Sequence, residues 1–450
     1  MKNKTYTKLA SWYLKFQISK SPQMNLVWGF FLYTLVGLFL LSIPLFHKTD
    51  VGFLDNLFIA TSAISTTGLV TISIFESYNF FGQFIIMALI QVGGIGYMTL
   101  TTYYLLFTTK KITRWHSQII GTEFTLPNTI QIRDFIKSVI VFTVIMETIG
   151  AILFYIAFRA EGMGIVKAIW FSIFHSISSF CTAGFGLFNN GFEGFQDNTF
   201  INTTISILAI SGSLGFIVIT DLWYRITGKS KEISFTTKII VYGFLCLLFL
   251  GTLLIYITEP STTIGQDNSL MTSFFQAMSA MTTVGFNTVP VGNLTLPVLL
   301  LITFLMYIGA SPSGTAGGMK ITTLTAMISI LKSRLFGQKK ITFLNRLIPL
   351  ERIYVATSTF MLYTSLIFLF SFLLSYSESF SFNKILFEVA SALGTVGLST
   401  GITGDLSNIG KVLIIILMFI GRVGVLTFGF ALLHQKDNNL KKIKTDDLAI

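Results

Sequence analysis

The sequence predicts an all-α integral membrane protein: eight transmembrane helices in four span–pore-helix–span repeats around one pore with pseudo-fourfold symmetry. Three observations predict it. Of the 450 residues, 52% are apolar and only 11% are charged, against roughly 25% charged in an ordinary soluble domain, so too few charges remain to cover a water-facing surface. Long uncharged stretches recur along the chain. A twelve-residue motif recurs four times in register with them.

The elements follow in order. Residues 1–23 form a basic, amphipathic N-terminal helix, with Lys2, Lys4, Lys8, Lys15 and Lys20. Met24–Phe46 is uncharged, lacks a small-residue cleavage site, and reads as a retained span rather than a signal peptide. Further spans are Ser77–Thr109, Ile136–Phe158 around Glu147, Asn198–Thr220, Ile239–Thr258, the outgoing part of Ser269–Met319, Ile353–Ser377, and Val412–Gln435 around Arg422. Four shorter apolar segments lie between them: Leu54–Ser65, Lys167–Ser179, Leu270–Met281 and Lys384–Leu393. At about 1.5 Å per residue each reaches about half of a ~30 Å hydrocarbon core, so it enters and turns back. The chain thus divides into repeat 1 (24–109), repeat 2 (135–224), repeat 3 (236–335), repeat 4 (353–435) and a cytoplasmic tail (436–450).

The short segments and their exits read FIATSAISTTGL from Phe58, FHSISSFCTAGF from Phe174, FQAMSAMTTVGF from Phe275 and FEVASALGTVGL from Phe387. All fit F-x3-S-[AS]-x2-T-x-G-[LF]. A glycine echo follows each in the outgoing span: Gly93, Gly212, Gly309 and Gly421. Lys and Arg gather in the tails and the inter-repeat connections (Lys110, Arg133, Lys229, Arg334, Lys339, Arg346 among them), while the opposite side is acidic. By the positive-inside rule both termini are cytoplasmic, and the short helices dip in from outside. The net charge of +11 then marks topology and contact with anionic membrane lipids, not nucleic acid. Five tryptophans sit near span ends, at belt positions.

The exits carry the chemistry. They comprise Thr66, Thr67, Gly68 and Leu69; Thr182, Ala183, Gly184 and Phe185; Thr283, Val284, Gly285 and Phe286; and Thr395, Val396, Gly397 and Leu398. A cation entering a membrane loses water, and carbonyl oxygens replace it. Glycine permits the backbone angles that aim them, and the C-terminus of each short helix adds partial negative charge. Glu388 is the sole acidic residue within the four motifs, so there is no acidic ring of the kind that suits divalent ions. A carbonyl filter suits a weakly hydrated monovalent cation.

Repeat 3 breaks its outgoing span at Gly309, Ala310, Ser311, Pro312, Ser313, Gly314, Thr315, Ala316, Gly317 and Gly318, where an unbroken helix is not expected. This is a candidate gate below the filter, weighed against a static kink. Arg422, next to Gly421, falls at the same depth; a buried guanidinium needs partners, and carbonyls of the loop are the expected ones. Lys320 is expected to snorkel to the cytoplasmic surface. Glu147 pairs with another span or stays protonated, and Asp221 reads as an interfacial charge. Cys181 and Cys246 form no disulfide or metal pattern, and the four histidines lack ligand spacing. No phosphate loop, nucleotide fold or catalytic set is present, so the chain is not expected to be an enzyme or to bind an organic cofactor.

The fourfold plan, the TAGG-M-K ending of the broken helix and FIGRVG from Phe419 resemble the Trk/Ktr/HKT superfamily of potassium transporters, and within it the KtrB-like membrane subunits. The resemblance implies K+ as substrate, with glycine at all four filter positions favouring it, and Na+ as an activator in several members. It also implies a homodimer with one pore per protomer, in the plasma membrane, associated with a cytosolic KtrA-like ring that binds the regulatory nucleotide. Ala310, Pro312 and Val425 depart from the expected Gly, Ser and Pro. The alternative within the superfamily is a sodium or unselective monovalent cation transporter. Beyond it stand an alternating-access carrier, against which the uniform repeat orientation argues, and a non-transporting scaffold.

Overall fold

The computed structural model describes residues 21–96, 99, 102, 131–230, 232–260 and 269–433. The N-terminal basic helix, the end of repeat 1, the first inter-repeat connection and the C-terminal tail lie wholly or mostly outside these residues, as do Trp12, Trp115, His116 and His434.

Four times over, a long helix leads to a short one, a loop and an outgoing helix. The set runs α1 (Pro22–Leu41), α2 (Phe53–Ile64), α3 (Phe80–Ile95); α4 (Ile132–Ala160), α5 (Ile165–Phe180), α6 (Thr199–Ser213), α7 (Phe216–Ile226); α8 (Phe235–Thr258), α9 (Ser269–Thr282), α10 (Leu296–Tyr307), α11 (Ile321–Leu335); and α12 (Leu350–Ser377), α13 (Phe382–Gly394), α14 (Asn408–Val423), α15 (Val425–Leu433). The four short helices α2, α5, α9 and α13 lie on the four segments anticipated for them, to within two residues at each end.

The long helices α1, α4, α8 and α12 are apolar and long enough to cross a membrane. They present apolar residues outward, for instance Phe39, Phe249 and Phe372, each about two-thirds exposed or more, as a helix facing lipid does. Ser21 starts α1 by accepting the Met24 N–H at 3.2 Å, with Pro22 in the first turn. The short helices are the reverse: Phe58, Phe174, Phe275 and Phe387 are fully buried, so the core is built around them.

In repeats 2 and 4 the outgoing segment is not one straight span, while in repeat 1 α3 ends at Gly96 and most of the rest of the anticipated span lies outside the described residues. The α6–α7 pair bends by 87° and the α14–α15 pair by 96°, which leaves four straight candidate spans, or six with the bent pairs, among the described residues. The breaks share one register. Gly96, Gly215 and Gly424 lie three residues after the echo glycines and take φ of 85°, 86° and 92°, a conformation essentially reserved for glycine. The G-x-x-G spacing was the sequence signal. Repeat 3 has Pro312 at that register and inserts its loop there, held at its base where β1 (Ile308–Gly309) pairs parallel with β2 (Met319–Lys320).

Candidate functional site

Each short helix ends in the same way. Thr66, Thr182, Thr283 and Thr395 take φ of 52°, 50°, 57° and 48°. For a β-branched residue the left-handed region is an outlier, and four at equivalent positions mark a built feature. The amides of Thr67, Ala183, Val284 and Val396 return to the carbonyls of Ser62, Ser178, Ser279 and Ser391 at 2.8–3.2 Å, closing a Schellman-type cap. The motif serine acts here as well. Ser62 and Ser391 hydroxyls accept the Gly68 and Gly397 N–H groups at 3.1 Å, and Ser279 donates to the Phe286 carbonyl at 2.6 Å.

The four exits meet. A Cβ placed on Gly68 would lie 2.5 Å from the Ala183 carbonyl oxygen, and one on Gly184 2.5 Å from that of Val284. On Gly285 it would overlap the Val396 carbonyl, and on Gly397 that of Thr67. Each of these four glycines thus abuts the carbonyl of the next repeat, and the fourth abuts the first. Leu69, Phe185, Phe286 and Leu398 are buried.

The loop of repeat 3 seats against the threonines of this ring. Thr182 donates to the Thr315 hydroxyl at 3.0 Å, and the Gly317 N–H donates to Thr283 Oγ1 at 3.1 Å. A Cβ on Gly317 would collide with Thr395 Oγ1 and the Gly394 carbonyl. Thr66 accepts from Arg422 at 3.1 Å, and the same guanidinium donates to the Thr315 carbonyl at 2.7 Å. Arg422 therefore meets a loop carbonyl as anticipated, and also meets the Gly93 and Gly94 carbonyls of repeat 1. Ser313 caps α7 from a distance: its carbonyl and hydroxyl accept the Phe216 and Ile217 N–H groups, both at 3.1 Å. Gly309, Ala310, Ser311 and Pro312 form the near limb of the loop, where the Ala310 carbonyl accepts the Ile321 N–H at 3.1 Å.

Lys320 does not extend to a surface. Its ammonium donates back to the Ala316 and Gly317 carbonyls at 2.6 and 2.8 Å; both carbonyls lie in the loop, outside any helix that would donate N–H groups to them. Glu147 accepts from the Gln91 amide at 2.8 and 3.1 Å and lies 3.8 Å from the Cys181 thiol, so a neutral span pairs with it. Asp221 is buried, and its carboxylate accepts the Ser234 N–H at 2.8 Å.

Sequence reasoning missed the residue after each motif phenylalanine. His175 accepts the Leu187 N–H at 3.1 Å, Gln276 donates to Thr288 Oγ1 at 3.2 Å, and Glu388 accepts from Ser399 at 3.0 Å and from Thr403. Each ties its short helix to the strand of chain leaving the ring. Repeat 1 has Ile59 there and uses Asp55 instead, which accepts from Thr71 at 2.7 Å and pairs with Lys411 at 2.8 Å. The signal was a large polar residue (His, Gln or Glu) directly after the motif phenylalanine, at one position in three of four repeats. At the acidic end, burial holds the Glu193 carboxyl above the usual carboxylate range against the Asn287 amide that donates to it at 2.8 Å.

Apolar spans around converging short helices define a multi-pass membrane protein. The chain belongs to the TrkH family of cation transport proteins, whose pattern matches residues 30–442. It is 35% identical to the potassium/sodium uptake protein NtpJ of Enterococcus hirae, over 92% of this chain and 93% of that one. It is 32% identical to the Ktr system potassium uptake protein B of Bacillus subtilis, over 94% and 95%. The solved structure of the potassium transporter TrkH from Vibrio parahaemolyticus shares the fold, with a TM-score of 0.72 at 19% identity, covering 92% of this chain and 85% of that one.

Proposed function

We propose that the chain takes up K+ across the plasma membrane through the ring formed by Thr66–Leu69, Thr182–Phe185, Thr283–Phe286 and Thr395–Leu398. The observation that carries this reading is the closed cycle in which each glycine abuts the carbonyl of the next repeat. A cycle of main-chain oxygens without a carboxylate replaces the hydration shell of a weakly hydrated monovalent cation. The four short helices point their C-termini at the same place and add negative potential there. Gly309–Gly318 is the gate: it lies against the threonines on one side of the ring, and Arg422 and Lys320 hold it there. Both relatives named for potassium uptake support the ion, and the Ktr system name supports a partner subunit, for which a cytosolic nucleotide-binding ring and a homodimer of this chain are the proposed assembly. Both termini are taken as cytoplasmic.

Potassium or rubidium uptake into proteoliposomes tests the reading. Saturable uptake by the wild type, lowered in Gly285→Ser, is expected; absent flux, or flux unchanged by that substitution, rejects it. A second reading, sodium uptake alongside potassium, draws on the name of the E. hirae relative, and sodium influx in the same vesicles distinguishes it.

A further inference from the structure

Three consecutive carbonyls of the repeat 3 loop end on positive groups of the chain itself. Thr315 accepts from Arg422 at 2.7 Å, and Ala316 and Gly317 both accept from the Lys320 ammonium, at 2.6 and 2.8 Å. Successive carbonyls of an extended chain point to opposite sides, so two that converge on one nitrogen need a turned backbone. Gly318 follows them at φ of 67°, a conformation that costs glycine little. On its other side the same stretch meets the ring, where the Gly317 N–H donates to Thr283 Oγ1 at 3.1 Å. Beyond the loop, Ala316, Gly317, Lys320 and Arg422 line a cavity of about 520 Å³ that continues the proposed path. Among the described residues no carboxylate lines it, so a cation leaving the ring meets oxygen dipoles there rather than acidic groups.

We propose that the Ala316 and Gly317 carbonyls form a seat for a monovalent cation on the inner face of the loop, and that the Lys320 ammonium fills this seat as a tethered ion. A lysine ammonium is a compact point charge. It takes from carbonyl oxygens what a cation that has lost its water takes from them, and two of its three donors are used in doing so. The seat opens on a cavity that Lys320 also lines, so its occupant can exchange. A K+ ion that has passed the ring takes the two carbonyls and keeps water on its open side, while the ammonium swings into the cavity on its four-carbon stem. Until then the filled seat leaves a positive charge beside Arg422 at the way out. That consequence for flux rests on the function proposed above; the seat itself does not.

The test follows thermal unfolding of the purified full-length chain in uncharged detergent as methylammonium chloride replaces choline chloride at constant ionic strength. Methylammonium carries the lysine headgroup without its tether, whereas the choline nitrogen has no N–H to donate. In Lys320→Ala the seat is vacated, so methylammonium is expected to raise the unfolding temperature saturably, by about two degrees or more beyond its effect on the wild type. KCl is expected to do the same. Binding at the ring is common to both proteins and drops out of the difference. Lys320→Met, which keeps most of the stem, serves if Lys320→Ala does not fold. Equal shifts in variant and wild type overturn the proposal. So do variants that stay unfolded in methylammonium, since a free ammonium should then replace the tethered one. In proteoliposomes, methylammonium sealed inside is expected to slow rubidium uptake by the variant several-fold and that of the wild type little; a variant rate that does not respond removes the seat from the cation path. Extra binding by the variant with no rubidium uptake by the wild type leaves the seat standing and rejects the proposed function instead.

Discussion

The guanidinium of Arg422 donates to the carbonyl oxygen of Thr315 at 2.7 Å, joining the outgoing helix of repeat 4 to the middle of the repeat 3 loop. The same group holds Thr66 and the Gly93 carbonyl of repeat 1. One side chain thus ties together three repeats at the level where the loop meets the ring.

Removing that tether frees the loop. A hydrogen bond to a charged group is worth about 1.5–3 kcal/mol, so Arg422→Gln is expected to raise rubidium uptake several-fold. Initial rates in proteoliposomes of matched protein content decide it; equal or lower rates from folded Arg422→Gln would mean that Arg422 does not restrain the loop.

The ring tolerates no Cβ. Gly397→Ala places a methyl group into the Thr67 carbonyl and forces alanine to φ of 92°, a strain of about 1–3 kcal/mol before any collision. Loss of potassium preference over sodium is expected, with a lower unfolding temperature in detergent. Full preference retained in competition uptake would show that the ring does not set selectivity.

His175 holds the exit of repeat 2. His175 is fully buried against Phe188 and Phe192, and its Nε2 accepts the Leu187 N–H at 3.1 Å. His175→Phe keeps the aromatic packing and orphans that buried amide, at a cost of about 1–3 kcal/mol. His175→Gln, which can still accept, is expected to lose less. Denaturant or thermal unfolding compares the two, and equal losses argue against the hydrogen bond as the cause.

Charge pairs separate by burial. Lys229 and Asp134 meet at 2.9 Å with half of the lysine exposed, whereas Lys411 and Asp55 meet at 2.8 Å with both side chains mostly covered. Lys229→Ala is expected to leave stability nearly unchanged, because solvent screens the exposed pair. Lys411→Ala removes one link between repeats 4 and 1 and leaves Asp55 partly buried, at a cost of about 1–2 kcal/mol. Salt titration of wild-type stability should show the first pair screened and the second little changed.

The sequence by itself determined what depends on composition and local repetition. Scarce charges and long apolar runs define a membrane chain, and a motif of fixed register places four short helices, because burial and cap chemistry act within a dozen residues. Gly309–Gly318 was legible for the same reason: glycine and proline break a helix wherever they fall. The tertiary structure alone decided which oxygens face which glycines, that Arg422 reaches Gly93 as well as Thr315, that Lys320 turns inward, and that His175, Gln276 and Glu388 brace the exits. Apart from the short return of Lys320 onto Ala316 and Gly317, those contacts join residues about ten to more than three hundred positions apart, and the longest exist only once the repeats close into a cycle. The bends at Gly215 and Gly424 stand between the two. The glycines were visible, but the spacing alone does not tell a bend from a straight helix; the positive φ and the 87° and 96° angles are read only from the fold.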